Sequence, residues 1–135
     1  MRENIYKKLL KEYCDALISL QDKSGDKAFN GGIYCRTCKN IHGRCPDAVY
    51  GFVVAAKIFK DEKYLKAAKD VFAYGENLLC DDGGMYNDAQ TTWRYTTTFH
   101  QTAVIEALRS GSELLDEQTI GAFEDRAKKM AEWLY

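Results

Sequence analysis

The chain has 135 residues, and its charged side chains balance to a formal net charge of −1. That balance gives no electrostatic case for a nucleic-acid partner or an anionic membrane surface, and no stretch of about twenty apolar residues reads as a membrane span. The length suits one domain with a real core, while five cysteines, an odd number, argue for reduced thiols or a bound metal rather than a closed disulfide framework.

Apolar residues recur at helical spacing from Glu3 to Gln21, through Ile5, Tyr6, Leu9, Leu10, Tyr13, Ala16, Leu17 and Leu20. Lys7, Lys8, Lys11, Glu12 and Asp15 lie on the other side, so the pattern predicts an amphipathic outer helix. This start has no signal-peptide core. The chain therefore reads as cytoplasmic if complete, and as periplasmic or secreted if a leader precedes it.

A polar loop follows, with Ser24, Gly25 and Asp26, then Gly31 and Gly32 and a run of cysteines. Pro46 opens the next helix, where its missing N–H is no loss, and Asp47 suits the positive helix end. From Ala48 to Phe59 only Lys57 is charged, which predicts a helix buried on most sides. Asp61 starts a second outer helix, with Tyr64, Leu65, Ala68, Val71, Phe72, Gly75, Leu78 and Leu79 on its apolar face. The loop Cys80–Tyr95 leads into a second buried-type helix, expected from Thr96 to Ser110 with Gly111 as its stop. A third outer helix runs from Glu117 to the end, with Ile120, Phe123, Ala127, Met130, Trp133 and Leu134 as its stripe.

The order is outer, inner, outer, inner, outer, and it repeats. Gly31-Gly32-Ile33-Tyr34 returns as Gly83-Gly84-Met85-Tyr86, and Asp61-Glu62 returns as Asp116-Glu117. A period of about fifty residues fits a helix-pair repeat with a long loop. Inner helices of such a repeat run side by side, so the loops that enter them share one end. Two polar loops far apart in sequence are then expected to line one cleft, with helix N-termini favouring anions there.

His42-Gly-Arg-Cys-Pro-Asp-Ala-Val-Tyr-Gly-Phe52, Asp61–Ala68, Asp81–Asp88 and Trp93–Phe99 together resemble the N-terminal part of bacterial α/α-toroid carbohydrate-active proteins. This six-hairpin glycosidase-like group includes the heparinase II/III-like polysaccharide lyases. The resemblance covers nearly the whole chain. It implies an all-α fold, a single segment over residues 1–135 with about two and a half hairpins of an incomplete toroid, and a glycoside hydrolase or polysaccharide lyase acting on complex or uronate-containing glycans. An oligosaccharide or polysaccharide is the implied partner, together with further hairpins or a second copy. A non-catalytic helical-repeat scaffold and a zinc-stapled domain are the alternatives.

For general acid/base work the candidates are Asp47, Asp88, His100 and Tyr50. Asp47 also reads as a first-turn helix acid, Asp88 as a turn former and His100 as a structural histidine. Arg44 and Arg94 suit bidentate pairing with a uronate carboxylate, and His42 and Asn87 suit its neutralisation. Trp93, Tyr95 and Tyr86 suit stacking on sugar rings or packing between hairpins. Cys35, Cys38, His42 and Cys45 form a compact set of soft ligands fit for tetrahedral zinc, or simply small half-buried residues. Finally, the last helix has no capping glycine or asparagine. An open array end there predicts an exposed apolar patch near Phe123, Met130 and Trp133.

Overall fold

Five α-helices carry the structure, a computed structural model that describes residues 2–88 and 92–135. They are α1 (Arg2–Leu20), α2 (Ala48–Phe59), α3 (Glu62–Tyr74), α4 (Arg94–Gly111) and α5 (Glu117–Leu134). Among the described residues, strand structure is confined to β1 (Tyr34–Cys35), paired antiparallel with β2 (Asn40–Ile41), and to isolated bridges in the loops. The fold is all-α.

The local starts follow from side-chain chemistry. Asp61 caps α3 by accepting the Lys63 N–H at 3.0 Å, and Asp116 caps α5 through the Thr119 N–H at 2.8 Å. Lys60, in the left-handed conformation, ends α2 and lets Asp61 begin α3 at once.

α2 and α4 lie side by side and run the same way. Their starts meet where Arg44 stacks on Phe99 and Asp47 faces His100. Their ends meet where the Lys57 ammonium donates to the Ser110 carbonyl at 2.7 Å. The other three helices form a second layer, also running together. Tyr64 donates to Asp15 at 2.8 Å between α1 and α3, and Lys69 pairs with Asp116 at 2.6 Å between α3 and α5. Phe72 stacks on Phe123 with ring centroids 4.0 Å apart. The core fills the space between the layers, with Val49, Phe52, Val53, Tyr64, Val71, Met85, Val104, Phe123 and Met130 among its buried members.

The sequence repeat recurs in three dimensions. Asp22 N–H bonds to the Gly32 carbonyl, and Cys80 N–H bonds to the Gly84 carbonyl, both at 2.8 Å. The bridge Gln21–Ile33 matches Leu79–Met85. Gly31 and Gly83 both have positive φ, and a side chain on either would strike a helix backbone. A Cβ on Gly31 would lie 2.0 Å from the Asp70 carbonyl oxygen of α3, and one on Gly83 would lie 2.4 Å from that of Lys129 in α5. Only glycine meets both demands.

Several expectations need correction. Pro46 sits in a 3₁₀ turn, Cys45–Asp47, rather than in α2 itself. α3 stops at Tyr74, because Leu78 and Leu79 leave the helix to pair with the Gly83–Tyr86 loop. α4 begins at Arg94 and is not buried all round. Packing against α2 and α5 leaves Tyr95, Phe99 and Ile105 open. The apolar patch foreseen on α5 is absent: Phe123 and Met130 are fully buried, and Trp133 covers Gly84 while donating to Asp82 at 3.1 Å. Outer-layer packing closes that face, whereas Ile5, Tyr6, Leu9 and Tyr13 on α1 are exposed.

A buried polar group holds the layers together. Arg126 lies on the apolar stripe of α5, three residues from Phe123 and four from Met130. Its guanidinium donates to the Phe72 carbonyl at 2.7 Å, stacks on the Phe72 ring, pairs with Glu76 and lies 3.3 Å from His100 Nε2. Burial pushes the His100 pKa below its ordinary value. Removing Arg126 takes one of two donors from the Phe72 carbonyl, which keeps the Gly75 N–H, and leaves a void, so Arg126→Met should cost about 2 kcal/mol in denaturant unfolding. His100 is neutral when folded and takes up a proton once exposed. Stability is therefore lost as pH falls through the unfolded histidine value, about 6.5. His100→Asn should flatten that acid limb, by at most about 1.4 kcal/mol per pH unit for one proton.

Candidate functional site

The two polar loops meet at the shared start of α2 and α4. Asp88 joins them. Its Oδ1 accepts the Gly43 N–H at 2.7 Å, and its Oδ2 lies 2.6 Å from His42 Nδ1. These contacts lower the Asp88 pKa, the Gly43 N–H first and the imidazole second, and Asp88 in turn raises that of His42. The backbone supports the junction, since Gly43 packs against Tyr86 and Asn87 too closely for a side chain.

Arg44 follows in the first loop. Its Nε donates to Asp47 Oδ2 at 2.7 Å, and its guanidinium lies 4.2 Å from the centre of the Phe99 ring. Its Nη groups make no hydrogen bond to any described residue. Phe99 and Tyr95 stand one turn apart on α4 and are both exposed. Trp93, the residue before α4, is 51% exposed and Tyr95 71%. Arg94 is also exposed beside them. The start of α4 therefore presents aromatic surface and cations together.

His42, Arg44 and Asp47 thus share one end of the molecule with Asn87, Trp93, Arg94 and Tyr95. Asn87 lines a cavity of about 470 Å³ with Gly43, Tyr86 and Asp88. Tyr50 is exposed one turn beyond Asp47. His100 is different. It is 0% exposed, with Nδ1 3.6 Å from Asp47 Oδ1, and neither of those atoms has a hydrogen-bond partner among the described residues. Solvent does not reach it in this structure.

Sequence reasoning passed over a second cavity of about 620 Å³. It adjoins the first through Asn40 and Ile41, and it lies between the end of α1 and the β1–β2 hairpin. Lys23, Arg36 and Lys39 line it with Phe29 and Tyr34. The signal for it in the sequence is the density of basic residues around the cysteines, Arg36 and Lys39 among them. It is the larger cavity, yet it holds none of the acid/base candidates, so it reads as binding surface rather than as a place for chemistry.

The soft-ligand set also changes. Cys35, Cys38 and His42 bring their ligand atoms within 4.8 Å of one another. The Cys35 thiol is lowered to about 7, first by the Cys38 N–H that points at its sulfur from 3.5 Å and then by His42. Cys45 stands apart. Burial pushes its thiol up to about 12 while it packs beside the core.

Comparison with known proteins fits this picture. Residues 10–135 match the family model described as the ulvan lyase N-terminal domain. Over 136 aligned positions, covering 98% of this chain, the sequence is 34% identical to a protein of Formosa agariphila described as a broad-specificity ulvan lyase. The chain spans about a fifth of that relative's length, 21%. No solved structure matches the chain.

Asp88 is the clasp between the loops, which gives a direct check. Asp88→Ala removes both of its bonds, and the pair is partly solvated, so the local loss is about 1.4 kcal/mol. Hydrogen exchange at the Gly43 amide should quicken roughly tenfold, with the amides of α3 and α5 unchanged.

Proposed function

The chain belongs to the ulvan lyase N-terminal domain family, and on that premise we propose that it is the glycan-holding N-terminal segment of a polysaccharide lyase acting on uronate-containing chains. In this reading its hairpins are part of an α/α toroid, whose further hairpins cover the open face of α2 and α4. The observation that carries the proposal is the junction of both loops at the start of α4, where Arg44, Phe99, Trp93 and Tyr95 are exposed together.

Elimination on a uronate needs three things. The carboxylate must be neutralised so that the proton on the adjacent carbon becomes acidic. A base must take that proton while the electron pair forms the new double bond. The glycosidic oxygen across that bond must leave and receive a proton. Arg44 suits the first role: Asp47 and Phe99 fix its guanidinium, and its Nη edge matches a carboxylate. Asn87, packed against Gly43, supplies a neutral donor. Tyr50 and Tyr95 are the exposed groups for proton transfer. Trp93, Tyr95 and Tyr86 offer apolar faces to the C–H side of sugar rings. The second cavity extends the same surface, with Lys23, Arg36 and Lys39 to attract an acidic polymer.

Two observations weigh against Asp88 as a hydrolase's acid and against His100. A hydrolase needs a carboxyl group held protonated, with its pKa raised. Asp88 has the opposite environment, because the Gly43 N–H and His42 keep it ionised. His100 is enclosed and serves packing.

The test uses the 135-residue chain titrated with ulvan fragments and followed by amide chemical shifts. Shifts should cluster at Arg44, Asn87, Trp93 and Tyr95. Arg44→Ala should weaken binding about tenfold, while Arg109→Ala at the far end of α4 should leave it unchanged. Equal binding of a neutral glucan, or shifts confined to the opposite helix ends, would overturn the proposal. Incubation with ulvan separates the chemistries: elimination gives unsaturated-product absorbance together with new reducing ends, and hydrolysis gives reducing ends alone.

A further inference from the structure

The hairpin β1–β2 carries a feature that glycan binding does not use. Cys35 ends β1, and the chain reverses through Arg36, Thr37, Cys38 and Lys39 before Asn40 opens β2. Lys39 adopts a left-handed conformation with φ of 55°, and its N–H closes the turn on the Cys35 carbonyl at 2.8 Å. The Cys38 N–H points at the Cys35 sulfur from 3.5 Å. The turn thus gathers both sulfurs on one side. Ile41 pairs with Tyr34, which sets His42 just beyond the ladder and beside the same two sulfurs.

We infer that Cys35, Cys38 and His42 form a binding site for a soft divalent cation of the zinc type, with Asp88 as the outer group that orients the histidine. The donor set is two thiols and an imidazole, which zinc prefers. Zinc bonds of about 2.0–2.3 Å place tetrahedral ligand atoms roughly 3.5–3.8 Å apart. The 4.8 Å span here needs only modest side-chain rotation in an exposed turn. Asp88 holds His42 Nδ1 at 2.6 Å, so Nε2 is the nitrogen left for a metal. A carboxylate behind a ligating histidine is the usual outer arrangement of such sites. Cys45 is not a ligand: it is absent from the cluster and half-buried against the core. Water completes the coordination.

The consequence is mechanical. A cation here would tie the hairpin to His42, and through Asp88 to the loop that enters α4. It would brace the edge shared by both cavities without standing in either. The inference does not depend on the polysaccharide reading.

The test loads the reduced 135-residue chain with zinc, and separately with cobalt(II) as a spectroscopic probe. About one equivalent of metal should remain after gel filtration, and cobalt should show thiolate charge-transfer absorption with tetrahedral ligand-field bands. Cys38→Ser, at an exposed position that cannot upset the core, should abolish the two-thiolate spectrum, and Cys35→Ser should do the same. Cys80→Ser should leave spectrum and stoichiometry unchanged. Asp88→Asn should weaken affinity about 10–100-fold at unchanged stoichiometry. The inference is overturned by reduced protein that retains no metal, by metal that survives loss of both Cys35 and Cys38, or by a Cys35–Cys38 disulfide that forms in preference to metal binding under mild reductant.

Discussion

Two glycines set the geometry on which the rest depends. Gly31 and Gly83 each press backbone against the backbone of an outer helix, α3 for the first and α5 for the second. Both have positive φ, which L side chains rarely adopt. Each approach pins a long loop to the C-terminal part of a rigid helix. The inner helix that follows must then start at that end of the molecule. Long loops are normally the least determined part of a domain, and here they are anchored twice.

Anchoring brings chemistry together. Once both loops are held at one end, Asp88 can reach Gly43 and His42 across forty-odd residues of sequence. Arg44 can then lie over Phe99 of a helix it does not adjoin in the chain. Arg44 gains orientation from that stack and from Asp47 while keeping its outer edge open. A fixed, half-solvated guanidinium loses little entropy on taking a carboxylate. The same loop carries the thiols of Cys35 and Cys38 on a hairpin that points away from the core. One loop thus carries both the guanidinium and the thiols, and Asp88 bonds to His42 and Gly43 between them.

The buried polar group serves the opposite purpose. Arg126, His100 and Glu76 cross between layers at the level of the Phe72–Phe123 stack. Paired polar groups in a core contribute little net stability compared with apolar ones of the same shape, but breaking one is costly. Their effect is to fix how α3, α4 and α5 meet, and so where the start of α4 stands.

The sequence by itself determined the helical class, the alternation of outer and inner helices and the repeat. Those features rest on local periodicity, capping aspartates and paired glycines, which neighbouring residues encode directly. The kinship with polysaccharide lyases was legible for the same reason, through short motifs at the loop–helix junctions. The roles of individual polar residues were not. Asp88 read as a possible acid, yet folding gives it a histidine and an N–H that keep it ionised. Cys45 read as a ligand from its spacing, but the 3₁₀ turn at Pro46 draws it toward the core. His100 read as an acid/base candidate or a structural histidine, and it is enclosed beside Arg126 and Asp47. Arg126 sat on the apolar stripe of α5 from the start, and only the outer layer's packing explained a cation there. Periodicity says which face a residue is on; what it meets there depends on residues distant in sequence, and only the tertiary structure brings them together.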